Sequence, residues 1–197
     1  MRIVFSSLLA VALTASVAFT QAPPAAGGAK GKAPAAPGMA LSSPDFQDGG
    51  IIPDKFTQAA AMPVSPKLEW TNVPATAAAF VLIMHDPDNA LNKTPDDVLH
   101  WMAFNIPGSA RSLAGGQSAD ATLPDGTIQA KNQRGTPGFL GPGNAAINPY
   151  HHYTWELFAL DAKLTLGPDA TRADVMKAME THIVGKAVLS ARFKRPQ

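Results

Sequence analysis

Residues 80–106 read FVLIMHDPDNALNKTPDDVLHWMAFNI, and the division of this stretch decides the fold. Phe80–Met84 is an unbroken apolar run between Pro74 and the turn residues Asp86, Pro87 and Asp88. Such a run is too short for an ordinary helix and long enough for a strand covered on both faces. His100–Ile106 is rich in aromatic residues and predicts a second strand. Asp86 and Asp88 then fall just past the end of one strand and His100 at the mouth of another, a loop-rimmed position where functional groups collect.

Working outward, Tyr153–Leu160 (YTWELFAL) and Ala187–Phe193 (AVLSARF) predict further strands. Pro124–Gly126 (PDG) suits a hairpin turn between the coil at Leu113–Gln117 and the segment Thr127–Lys131. TRADVMKAMETHI, residues 171–183, is the one convincing helix. Thr171 and Asp174 stand at capping-box spacing, and Val175, Met179 and His182 or Ile183 form one stripe. No repeat of fixed period is visible. The expected fold is a mainly β domain with a few short helices, one of them near the C-terminus.

The opening residues, MRIVFSSLLAVALTASVAFTQA, place Arg2 ahead of an apolar stretch and then small residues. That order predicts a secretory signal peptide over residues 1–22. Residues 23–40, PPAAGGAKGKAPAAPGMA, carry almost nothing to bury and predict a flexible tether. The folded domain is therefore expected over residues 41–197, in the periplasm or outside the cell, with no transmembrane anchor once the leader is cut. With 16 Lys+Arg against 15 Asp+Glu the formal charge is +1, which leaves no basic field for nucleic acid. Cysteine is absent, which excludes disulfides, thiolate metal ligands and a thiol nucleophile.

Strand parity sharpens the candidate site. Alternate side chains face opposite ways, so His151, Tyr153, Trp155 and Leu157 share one face while His152, Thr154 and Glu156 share the other. Adjacent histidines cannot both reach one site without a bulge, and His152 is expected to face solvent or a neighbour. If the strand ends converge, the cluster is Asp86, Asp88, His100, His151 and Tyr153. His85 is expected to be a strand-end residue outside the site, Trp70, Trp101 and Trp155 core aromatics, and Lys131 and Arg134 a solvated loop face.

The same residues carry a resemblance. SPKLEW (65–70) followed by NVP, DPD (86–88), HW (100–101), NIP (105–107), LPDG (123–126), GTPGFLGP (135–142) and HHYTWELFALD (151–161) occur in the order seen in phosphatidylethanolamine-binding proteins. From about residue 43 onward the chain resembles the bacterial YbhB/YbcL branch of that family, which is similar to Raf kinase inhibitor proteins. It departs from the pattern in three places: DPDAP is DPDNA, GPxPP is GPGNA (Gly141–Ala145), and His152 replaces the arginine usual after the site histidine.

The resemblance implies a β-sandwich of two antiparallel sheets with a small pocket for phosphate, sulfate, acetate or a phospholipid head group. Matched motif by motif, the pocket would be Asp86, Asp88, His100, Gly143, His151 and Tyr153, with no metal and no cofactor. Carboxylates beside imidazoles are expected to raise their pKa, keeping them protonated to donate charge-assisted hydrogen bonds to an oxyanion. A tyrosine hydroxyl and a glycine N–H would complete the cradle. The implied function is that of a binding protein, with kinase or protease inhibition attached by analogy only.

Two other classes are open to the same residues. An Asp/His cluster could serve a hydrolase as general acid and base, although no G-x-S-x-G motif is present and Ser65 precedes a proline in what reads as a structural turn. His100, His151 and an aspartate could also ligate a metal, but their spacing matches no local metal motif.

Overall fold

The structure, a computed structural model, describes residues 37–197; the expected signal peptide and most of the tether lie outside the described residues. Ala40, read above as the last tether residue, already belongs to β1 (Ala40–Ser42). β1 pairs with β2 (Leu68–Thr71), and β2 pairs with β5 (Ser112–Leu113), giving a small antiparallel sheet. The larger sheet is also antiparallel. Its order is β6 (Ile128–Gln129), β4 (Val98–Pro107), β3 (Ala79–Asp86), β7 (His151–Leu160) and β8 (Ile183–Phe193). The fold is thus mainly β with two antiparallel sheets, as the sequence led one to expect.

β3 is the middle strand of the larger sheet, and Ala79–Met84 are all fully buried. Its alternate side chains enter two cores. Phe80, Leu82 and Met84 join Leu41, Leu68 and Trp70 of the small sheet with Trp101 and Trp155 of the large one, filling the space between the sheets. Val81 and Ile83 join Met102, Phe104 and Phe158 on the opposite face, which α1 (Arg172–Met179) covers through Val175 and Met179. A strand with apolar cover on both sides has no use for polar alternation, and each such side chain contributes about 1.5–3 kcal/mol of burial.

One irregularity in this sheet matters for the site. Met84 faces Trp101 across the β3–β4 ladder while the next β3 residue, His85, faces Leu99. His100 is the residue left over, the extra member of a β-bulge. Such a residue is re-aimed relative to its neighbours. Leu99 packs in the helix-side core and Trp101 in the inter-sheet core, and His100 turns with Trp101.

Two expectations are corrected. The helix ends at Met179 rather than Ile183, because Thr181 adopts a left-handed φ of 69° and Ile183 is taken up by β8 opposite Leu160. His182 therefore sits in the turn, with Nδ1 2.8 Å from Asp161, and lies on no helix stripe. The capping box does form: Thr171 Oγ1 accepts from the Asp174 N–H, and the Asp174 carboxylate accepts from the Thr171 N–H. The PDG turn also forms, with Gly126 at φ 87° and the Leu123 N–H donating to the Thr127 carbonyl at 2.8 Å. It is tighter than expected, for its partner is the single bridge Thr122–Ile128, and Ser112–Leu113 has gone to the other sheet.

Candidate functional site

The site is built at the end of the larger sheet where β3 stops, β4 begins and β7 begins. Asp86 is the last residue of β3 and nearly fully buried. Its Oδ1 accepts from the backbone N–H of Asp88 at 3.0 Å, closing the local turn that Asp-Pro-Asp favours. That bond leaves Oδ2 to face β7, where it meets His151 Nδ1 at 2.8 Å. A carboxylate accepts, so Nδ1 carries the hydrogen and Nε2 is the ring atom left for a ligand.

His100, on β4, is fixed in the same way. Its Nδ1 lies 2.8 Å from the Leu140 carbonyl, which can only accept, so Nδ1 is the donor and Nε2 the remaining ring nitrogen. The ring meets Tyr153 edge to face, with centroids 5.1 Å apart and planes at 84°. Here the expectation of a raised pKa is overturned. Burial pushes the His100 imidazole below its ordinary value, and the Leu140 carbonyl and the Asp86 carboxylate only partly oppose it. Near neutrality His100 is an uncharged ring presenting an acceptor. The Tyr153 phenol is pushed well above its usual value, first by burial and then by Asp86, against the backbone amides of Gly143 and Asn144 that point at its oxygen. It therefore keeps its proton and acts as a donor.

Asp86, His100, Gly143, His151 and Tyr153 line one cavity of about 270 Å³. Asp88 does not. Its Oδ2 accepts from the backbone N–H of His152 at 2.5 Å and lies 2.9 Å from His152 Nδ1. Burial raises the Asp88 pKa, but these His152 contacts outweigh it and hold the carboxyl below its usual value. His152 faces this neighbour, on the side parity assigned it. The sequence reading missed Gln58, Asn89, Val98, Leu140, Asn144, Ala145 and Asn148, which complete the lining. Of these, Asn144 and Ala145 carried a signal as part of the GPGNA departure, Asn89 as part of DPDNA and Leu140 within GTPGFLGP.

Other clusters are already paired. A larger groove of about 590 Å³ runs between Leu99, Lys131 and the start of α1. Its cations are engaged: Arg172 pairs with Asp97, and Lys131 lies 2.8 Å from Asp169. His85 stands on the helix side of the sheet, 2.5 Å from Asp97 and 3.6 Å from Glu156, outside the cavity. Ser65 is buried, and its Oγ accepts from the Gln117 N–H at 2.9 Å, a structural use. Among the described residues no group of three or more His, Cys, Asp or Glu side chains is arranged to hold a metal ion, and no helix is long and apolar enough to cross a membrane.

Comparison with known proteins decides the family. The phosphatidylethanolamine-binding protein family model matches residues 42–194. The chain belongs to the phosphatidylethanolamine-binding protein family. A UPF0098 protein of Methanothermobacter thermautotrophicus is 38% identical over 158 residues, covering 80% of this chain and 99% of the relative. LppC of Mycobacterium tuberculosis, named as a candidate lipoprotein, is 35% identical over 163 residues, covering 82% of this chain and 75% of its own. Among solved structures, the phosphatidylethanolamine-binding protein homologue CT736 of Chlamydia trachomatis superposes with a TM-score of 0.70 at 28% identity, over 81% of this chain and 99% of that one. Escherichia coli YbcL gives 0.71 at 24% identity, over 81% and 100%; this is a likeness of fold, consistent with the bacterial branch of the family.

Proposed function

We propose that this family member is an extracytoplasmic binding protein whose small cavity takes an oxyanion, either phosphate or the head group of a phospholipid, and that it addresses any partner protein through the same cavity. The observation that carries the reading is the convergence of Asp86, His100, His151 and Tyr153 from three strands around one space of about 270 Å³. That volume is of the size of a phosphorylated head group. The Tyr153 hydroxyl donates to the oxyanion, and Asp86 orients His151 with Nε2 left for the ligand. The signal-like leader and the lipoprotein name of one relative support a location outside the cytoplasm.

A hydrolytic role has one observation in its favour, the Asp86–His151 pair at 2.8 Å. Against it, Tyr153 holds its proton and Ser65 is engaged elsewhere, so among the described residues no activated side-chain nucleophile faces the pair. Binding is the better use of these groups. Titration calorimetry with inorganic phosphate and phosphoethanolamine, on the native chain and on His151→Gln, tests the reading. Saturable binding weakened by the substitution is expected. Identical binding in the variant moves the site elsewhere, and steady turnover of a phosphate ester lost in His151→Gln replaces the reading with the hydrolytic one.

A further inference from the structure

Gln58 lines the cavity, and chemistry fixes its amide at both ends. The Gly141 carbonyl can only accept, so Nε2 donates to it at 2.8 Å; the Arg134 guanidinium can only donate, so Oε1 accepts from Nη2 at 2.8 Å. The Gln58 backbone N–H is tied to the Pro142 carbonyl at 2.8 Å. The amide lies flat on Gly143: a Cβ there would come within 2.5 Å of Nε2 and 2.8 Å of Oε1. Arg134 stands exposed just behind this arm, and among the described residues its one side-chain hydrogen bond goes to Gln58. Most of its five N–H donors are unspent. Its charge reaches the cavity, since it adds to the burial that depresses His100.

The cavity needs such a charge. His100 offers a lone pair and Asp86 a carboxylate, both repelling a dianion, and His152, which stands where the family's arginine is usual, is committed to Asp88. Resting on the anion-pocket reading, we propose that Arg134 is the cation of this cavity and Gln58 the arm that holds it at the mouth, so that a dianionic phosphate group is bound in preference to a monocarboxylate. The guanidinium fork matches two phosphate oxygens at once, and a lysine would offer only a point charge.

Titration calorimetry with inorganic phosphate, phosphoethanolamine and acetate tests this on the native chain, Arg134→Gln, Arg134→Lys and Gln58→Ala, with thermal unfolding as the control for folding. Arg134→Gln should weaken both phosphates roughly tenfold, the value of a charge-assisted hydrogen bond, and acetate less. Arg134→Lys should recover part of the loss, and Gln58→Ala should fall between. Either order of the two phosphates supports the role of Arg134 and tells a head group from free phosphate as the source. Phosphate binding unchanged in Arg134→Gln, or an equal loss for acetate, overturns this inference and leaves the pocket reading standing. Failure of the native chain to bind phosphate overturns both.

Discussion

The ring of His100 stands edge-on to that of Tyr153, centroids 5.1 Å apart, although β3 runs between their strands. Two strands of separation is about 10 Å of backbone, so the rings meet only because both lean over the end of β3 from the same side. Tyr153 does so by simple alternation with Trp155 and Leu157. His100 does so because the bulge opposite Met84 and His85 turns it there. The chemistry of the cavity is thus a consequence of one extra residue in β4, and the burial of His100 follows from it.

That burial has a sign that can be measured. Unfolded, His100 takes up a proton near its ordinary pKa of 6.5; folded, it does so only at lower pH, because burial disfavours the charged ring. The folded chain then binds fewer protons than the unfolded one across that interval. The stability tied to neutral His100 is complete above the unfolded value and is lost as pH falls through the folded value. Asp88 and Asp97, both held below 3.8, lose their contributions in a separate, more acidic window. Urea unfolding from about pH 7.5 to 5 should show stability falling, and His100→Asn, which can still donate to the Leu140 carbonyl, should flatten the slope. An unaltered slope in the variant would place the titrating group elsewhere.

Tyr153→Phe removes the oxygen at which the Gly143 and Asn144 amides point, together with the cavity's phenolic donor. The loss should be about 0.5–1.5 kcal/mol of stability, the usual net worth of a neutral hydrogen bond, and a several-fold weaker hold on phosphate. Chemical denaturation and calorimetry on the same samples check the two effects. A variant as stable as the native chain would mean that the amides find another acceptor.

The strands were legible because burial on both faces of β3 writes an unbroken apolar run, and because parity along β7 needs no knowledge of its partners. The convergence of Asp86, His151 and Tyr153 could be read that far. The direction of His100 could not, since a bulge is a property of the pairing and leaves no residue-type signature in HWMAFNI. Asp88 was assigned to the pocket with Asp86 because both occupy one short turn; the turn itself sends them apart, one carboxylate to His151 and the other to His152. Gln58 gave no sign in sequence, as its relation to Gly143 depends on a loop folding back from 83 residues away to reach the Gly141 carbonyl.

On the helix side, Asp97 joins α1 to the sheet, accepting from Arg172 and lying 2.5 Å from His85. Burial raises its pKa, but the Arg172 and His85 hydrogen bonds outweigh that and leave the carboxyl lowered. Asp97→Asn leaves Arg172 without its counter-charge and should cost roughly 1–3 kcal/mol, with hydrogen exchange quickening first in α1. Because this cluster lies outside the cavity, phosphate affinity should be unchanged. A large drop in affinity would show that the two faces of the sheet are coupled.

Gly143→Ala separates the roles of backbone and side chain in the cavity wall. The three atoms nearest a methyl group there all belong to the Gln58 side-chain amide, so the chain can accommodate it by letting the amide swing away. The displaced amide gives up its bond to the Gly141 carbonyl and its grip on Arg134. Thermal unfolding should therefore move only as far as one partly exposed hydrogen bond allows, about 1 kcal/mol or less. Phosphate affinity should fall toward that of Gln58→Ala, and adding Gln58→Ala to Gly143→Ala should then cost little more, the non-additivity expected of two residues that act through one contact. Fully additive losses would mean that Gly143 contributes through its own N–H and that Gln58 has a separate role.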